Sequence, residues 1–202
     1  DAYTVQFNTH GGSAVESVTR EYDETLGEFT SSRDNYDFDG WYTGENGTGT
    51  KYESTTKITS DVTLHAKWKE KTYEVSFETH GGSVVSTVQR NYGQALGEID
   101  STKEHYHLLG WYTGENGAGT KYEADTAITS NVTLHAYWEI DKVTVSFDAQ
   151  SGVAVSAIEL DYGSTISELP ETHRNNYIFG GWFTETDGNG TRLETTTAIE
   201  GD

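Results

Sequence analysis

Strict alternation of apolar and polar residues opens the chain and returns twice. Tyr3, Val5 and Phe7 fall on one face while Thr4 and Gln6 fall on the other; Tyr73, Val75, Phe77 and Val143, Val145, Phe147 repeat the pattern. A period of two predicts a half-buried strand. A second strand, carrying Val18 and Tyr22, then Val88 and Tyr92, then Ile158 and Tyr162, is expected to pair with the first as a hairpin. Leu26 with Phe29, Leu96 with Ile99 and Ile166 with Leu169 are three apart, a spacing that predicts a short helix resting one apolar edge on the sheet. The run "NYDFDGWY" starts a further strand near Tyr36, and "GENGTGTKYE" reads as a loop or tight hairpin. "DVTLHAKW" alternates again, with Val62, Leu64, Ala66 and Trp68 inward and Thr63, His65 and Lys67 outward. "NVTLHAYW" repeats it with Val132, Leu134, Ala136 and Trp138 inward.

These elements recur at a step of about seventy residues, so the chain reads as three copies of one unit, 1–71, 72–141 and 142–202. Each is expected to be a small α+β domain with one short helix on a mixed or antiparallel sheet. A unit of this size lies near the lower limit for folding without a disulfide or metal. The third copy reaches "AIEGD", which aligns with "AITSN" just before the closing strand. Without that strand its sheet exposes an edge. The natural chain is expected either to continue into the strand or to receive one from elsewhere.

The "F-x-x-x-G-G" turn, the "G-W-Y-T" segment and the closing "V-T-L-x-A-x-W" together resemble the Listeria–Bacteroides surface repeat, the type found as the B-repeat of internalin B. The resemblance spans the first two units and most of the third. It implies a β-grasp, ubiquitin-like fold, with units strung along secreted or wall-attached bacterial proteins. One departure is the residue before Tyr36: the family has glycine there, whereas this chain has Asn35, His105 and Asn176. Asparagine and histidine tolerate left-handed backbone well enough to keep the turn.

Charge narrows the function classes. The net charge of −20 is spread over all three copies and repels phosphate backbones and anionic lipid, which argues against nucleic-acid or membrane-surface binding. No run approaches the roughly 18 apolar residues of a membrane span. The chain holds no cysteine, hence neither a disulfide framework nor a thiolate metal site. It also holds no methionine, even at residue 1, and so reads as a processed chain or an excised fragment.

Candidate chemistry is sparse. His10 and His80 precede Gly-Gly, but the third copy has Gln150 and Ser151 there, so the histidines read as turn residues rather than ligands. His65 and His135 read as solvated positions on the outer face of a strand. His105 and His107 are two apart and unmatched in the other copies, which makes them at most an incidental chelator. The "TDGNGTRLE" loop around Asp187, Asn189 and Glu194 lacks the alternating oxygen ligands of a calcium loop. Lys51 with Glu53 and Lys121 with Glu123 raise the question of an internal isopeptide bond, but Arg192 replaces the lysine in the third copy. No nucleophile turn of the "G-x-S-x-G" kind occurs, so catalysis is not expected, and no cofactor or metal is assigned.

The remaining candidates are aromatic. Trp41, Trp111 and Trp182 sit where the resemblance places the family core; Tyr42, Tyr112 and Phe183 follow them with opposite parity and should face outward, where they either cover the sheet or stack on a sugar ring. The leading expectation is a non-catalytic stalk or spacer on a bacterial cell surface, an elongated rod of roughly 75–90 Å that presents other domains of the same parent chain. The alternative is an adhesin module that itself holds a host-cell glycan or protein, with avidity from repetition.

Overall fold

The computed structural model describes residues 1–201. In the first copy the strands are β1 (Ala2–Asn8), β2 (Val18–Glu21), β3 (Glu24–Thr25), β4 (Tyr36–Tyr42), β5 (Lys51–Tyr52), β6 (Lys57–Ile58) and β7 (Val62–Glu70). Five of them form one mixed sheet in the order β2-β1-β7-β4-β5, and β3 pairs separately with β6. The predicted hairpin is present, with Val5 opposite Val18 and Ala2 opposite Glu21. The closing strand β7 is central, parallel to β1 and antiparallel to β4. Its alternation therefore decides the core: Leu64 and Ala66 are buried with Val5, Leu26, Trp41 and Ile58, and Phe7, Phe29, Phe38 and Trp68 surround them. Because one strand holds neighbours on both sides, losing it would expose two others.

A bulge reconciles β4 with a period of two. The register slips between Phe38 and Gly40, so Phe38 and Trp41, three apart, both point into the core with ring centroids 5.2 Å apart. Gly40 supplies the positive φ of 123° this requires. A Cβ there would also stand 2.6 Å from the Lys51 side chain, which lies across the glycine.

The second copy repeats these elements as β8 (Thr72–Glu78), β9 (Val88–Asn91), β10 (Tyr106–Tyr112), β11 (Lys121–Tyr122) and β12 (Val132–Ile140). The bulge recurs between Leu108 and Gly110. In the third copy the strands are β13 (Lys142–Val145) and β14 (Ile158–Asp161), which pair over Lys142↔Asp161 to Val145↔Ile158. Val143, Ile166 and Ile199 form the buried centre there.

The α+β expectation is overturned. The described residues are nearly all strand and loop, and their only helical elements are three-residue 3-10 turns at Glu45–Gly47, Glu115–Gly117 and Thr186–Gly188. The segments at Leu26, Leu96 and Ile166 do bury those side chains, but outside any helix. The reason lies in where their backbone bonds go. Leu26 N–H donates to the Thr56 carbonyl at 2.8 Å and Gly27 N–H to Ser54 at 2.9 Å, continuing the β3–β6 pairing. The Arg20 guanidinium donates to the carbonyls of Thr25 at 3.0 Å and Leu26 at 2.9 Å. Gly27, at φ 85°, ends any helical path. Two apolar residues three apart were too little pattern to outweigh these ties. Among the described residues no helix lies across the sheet, so the helical element of the grasp arrangement implied by the resemblance is missing.

Single residues join the copies. Lys71 alone separates β7 from β8, donating its N–H to the Asn35 carbonyl at 3.0 Å and accepting the Tyr92 N–H at 2.9 Å. Asp141 stands between β12 and β13 with the same two bonds, to His105 and from Tyr162, both 2.9 Å. Asn35, His105 and Asn176 hold φ of 64°, 61° and 67°, so the turn survives its departure from glycine as expected. By compactness the chain divides into one unit of Asp1–Ser76, Ser86–Glu98 and Glu123–Thr133 and another of Phe77–Val85, Ile99–Tyr122 and Leu134 onward. The first joint lies inside the former and the second inside the latter.

Candidate functional site

The candidate aromatics each follow a buried tryptophan. Trp41 and Trp111 are buried and donate their indole N–H to the carbonyls of Phe29 at 2.8 Å and Ile99 at 3.0 Å. Tyr42 and Tyr112, next to them on β4 and β10, lie on the opposite face and are half-buried, and Phe183 is half-buried outside any strand. The Lys67 ammonium stands 5.4 Å from the Tyr42 ring centroid and pairs with Asp39 at 2.8 Å. That hydrogen bond holds the Asp39 carboxyl below its usual range and the Lys67 ammonium above its own. In the second copy Tyr137 takes the place of Lys67 and meets Tyr112 edge to face, 5.8 Å between centroids. Phe183 forms a β-bridge with Arg192, whose side chain lies over Gly181. Tyr42 and Tyr112 thus each have a long side chain against the ring, which covers part of the sheet with it.

The glycine turn brings together residues that sequence reasoning kept apart. His10 adopts φ 46° and His80 φ 48°, the left-handed backbone expected of the turn. That conformation also folds each ring back over the neighbouring strand. His10 Nε2 lies 2.9 Å from His65 Nδ1 and the rings stack with centroids 5.2 Å apart. His80 and His135 repeat this at 3.0 Å and 5.3 Å. His65 is seated between Asn8 on β1 and Tyr42 on β4. Glu45, opening the 3-10 turn, and Glu115, its counterpart, complete two groups whose ligand atoms all lie within 4.8 Å of one another. In the third copy Gln150, also at positive φ, faces Asp187 instead. With the amide so oriented, its oxygen accepts the Asp187 N–H at 3.1 Å and its nitrogen donates to the carboxylate at 3.3 Å. The readable signal was joint recurrence: both histidine pairs are separated by 55 residues.

Three segments, 3–67, 73–137 and 144–202, match the family model described as the Listeria-Bacteroides repeat domain. The chain belongs to the Listeria–Bacteroides repeat family. Among similar proteins, one of Evansella cellulosilytica, provisionally named a membrane protein, is 37% identical over 96% of this chain and 30% of its own length. A second from that organism, provisionally named a Gly-rich membrane protein, is 39% identical over 76% of this chain and 18% of its own. Internalin H of Listeria monocytogenes is 29% identical over 57% of this chain and 21% of its own. The chain therefore spans less than a third of the curated relatives it matches.

Within these Listeria–Bacteroides repeats, the other candidates are placed as follows. His105 and His107 do not converge: His105 sits in the turn, stacked on Tyr162 with centroids 3.5 Å apart, while His107 on β10 lies between Asp141 at 3.2 Å and Glu139 at 2.9 Å. The hydrogen bond that the His107 ring donates to Asp141 leads in raising the imidazole above its ordinary range. Lys51 pairs with Glu53 at 3.3 Å and Arg192 with Glu194 at 2.9 Å, both exposed. Asp187 is at φ 58° in the third 3-10 turn, facing Gln150 as described.

Proposed function

We propose that these repeats are a non-catalytic spacer in a bacterial cell-surface protein, carrying other domains of the parent chain away from the envelope. The observation that supports this reading is the joint. One residue separates consecutive sheets, and both its backbone groups are bonded, one to each neighbouring copy. A joint with few free torsions holds adjacent copies at a fixed angle, as a spacer requires. The names of the Evansella relatives and of internalin H favour an envelope location.

The absence of cysteine makes a direct test simple. Spin labels on one cysteine either side of the first joint, in β2 and in β9, should give a narrow distance distribution. Inserting Gly-Ser after Lys71 should broaden it. A distribution already broad before the insertion would overturn the reading. The adhesin alternative rests on Tyr42, Tyr112 and Phe183 recurring at one outward position. It predicts saturable binding to a glycan array or host cells that the triple alanine variant loses.

A further inference from the structure

We infer that the first two copies each carry a binding site for a divalent transition-metal ion of the Zn²⁺ class, made of His10, His65 and Glu45 and of His80, His135 and Glu115. The third copy shows why the histidines are not explained by the fold alone. Gln150 and Ser151 make the same turn at φ 44° and 74°, so the backbone does not need an imidazole there. Yet two copies place one, and each sets its ring nitrogen against a second imidazole from the closing strand. The three donors come from three elements: the turn after β1, the 3-10 turn and β7. The sheet register fixes the strand donor, pairing Asn8 and Tyr42 with His65.

The donor chemistry selects the ion. Two imidazoles and one carboxylate suit Zn²⁺, Cu²⁺ or Ni²⁺, whereas Ca²⁺ and Mg²⁺ prefer oxygen throughout. With bonds of about 2.0–2.1 Å, a tetrahedral ion holds its two nitrogens roughly 3.3 Å apart. The observed 2.9 Å and 3.0 Å need only a few tenths of an ångström of opening. Two neutral histidines sharing one hydrogen bond present one lone pair and one N–H at the contact. Moving that proton to the far nitrogen of its own ring turns both facing nitrogens toward the ion, without net loss of a proton. Three protein ligands leave a position for water or for a donor from another molecule. The strongly negative chain raises the local cation concentration.

Calorimetric titration of the whole chain with ZnCl₂, in a non-chelating buffer near neutral pH, tests this. Two ions per chain are expected, with Mg²⁺ and Ca²⁺ not competing. His10→Gln, which borrows the residue the third copy uses at that turn, should leave one site; H10Q/H80Q should leave none. H65Q/H135Q should do the same from the strand side, with unchanged near-ultraviolet circular dichroism reporting an intact fold. Histidine ring resonances of His10 and His65 should shift on loading while those of His173 stay. Three results would overturn the inference: no saturable Zn²⁺, Cu²⁺ or Ni²⁺ binding, undiminished stoichiometry in H10Q/H80Q, or a single site abolished by H107Q.

Discussion

The first and third copies carry the same motif with different outcomes. In the first, residues 36–42 form β4, with Tyr36 and Phe38 half-buried against β7. In the third, the aligned run holds no strand, and Tyr177, Ile178 and Phe179 are exposed to 64%, 98% and 40%. The leading strand shortens too, from Ala2–Asn8 to Lys142–Val145. What persists is the hairpin, with four register pairs in each copy, and the buried tryptophan, whose indole N–H still reaches a carbonyl, that of Pro170. No counterpart of β7 stands beside these segments among the described residues. The hairpin and the tryptophan loop are therefore local structure, while β4 and the far half of β1 exist by virtue of the closing strand.

Weakening β7 should push the first copy toward the third. Leu64 is fully buried at the centre of that strand. Leu64→Ala is expected to cost about 2–5 kcal/mol through lost burial and a cavity. Hydrogen exchange should then rise across residues 36–42 and 6–8 and stay low across the β1–β2 pairing. A uniform rise over the whole copy would show instead that the hairpin also depends on β7.

A smaller effect should come from the segment that replaced the expected helix. Arg20 ties the carbonyls of Thr25 and Leu26, and its guanidinium stands 5.7 Å from the Phe29 ring. The third copy has Leu160 at that position and manages without. Arg20→Leu is expected to destabilise the first copy by about 1–2 kcal/mol, because its carbonyls lose charged donors. Denaturant melts read with Trp41 fluorescence check this; a neutral effect would mean that the bonds to Ser54 and Thr56 suffice.

The same contrasts explain what was legible in the sequence. Strands with two packed neighbours declared themselves by alternation, as Leu64 and Ala66 did, and the Asn-Gly loops declared their turns. The helix expectation at Leu26 failed because its competitors, Ser54, Thr56 and Arg20, are distant in sequence or act through backbone atoms. The bulge at Gly40 breaks the period of two, so alternation alone does not put Phe38 on the same face as Trp41, which the resemblance places in the core. The histidine pairs are hard to read for a related reason: only the parallel pairing of β1 with β7 brings position 10 to position 65. Parity puts Tyr42 and Tyr112 across from their tryptophans, but it does not reveal that Lys67 or Tyr137 stands against the ring.

The smallest expected effect distinguishes the two joints. Both use the same pair of backbone bonds, but at the second the linker residue Asp141 and the strand residue Glu139 flank His107, where the first copy has Asp37. The imidazole is raised above its ordinary value near 6.5, led by the hydrogen bond with Asp141. A raised folded-state value means that the charged form favours the folded joint. That contribution is fully present below the unfolded value and is lost as pH rises through the folded one. Because the group is exposed, the effect should be small and weakened by salt. Compared with H107Q, the natural chain should therefore melt slightly higher between about pH 5 and 6.5, with the difference closing above that window. A difference that grew with pH would show that His107 acts at the joint through its neutral ring, and that charge plays no part in setting the second joint apart from the first.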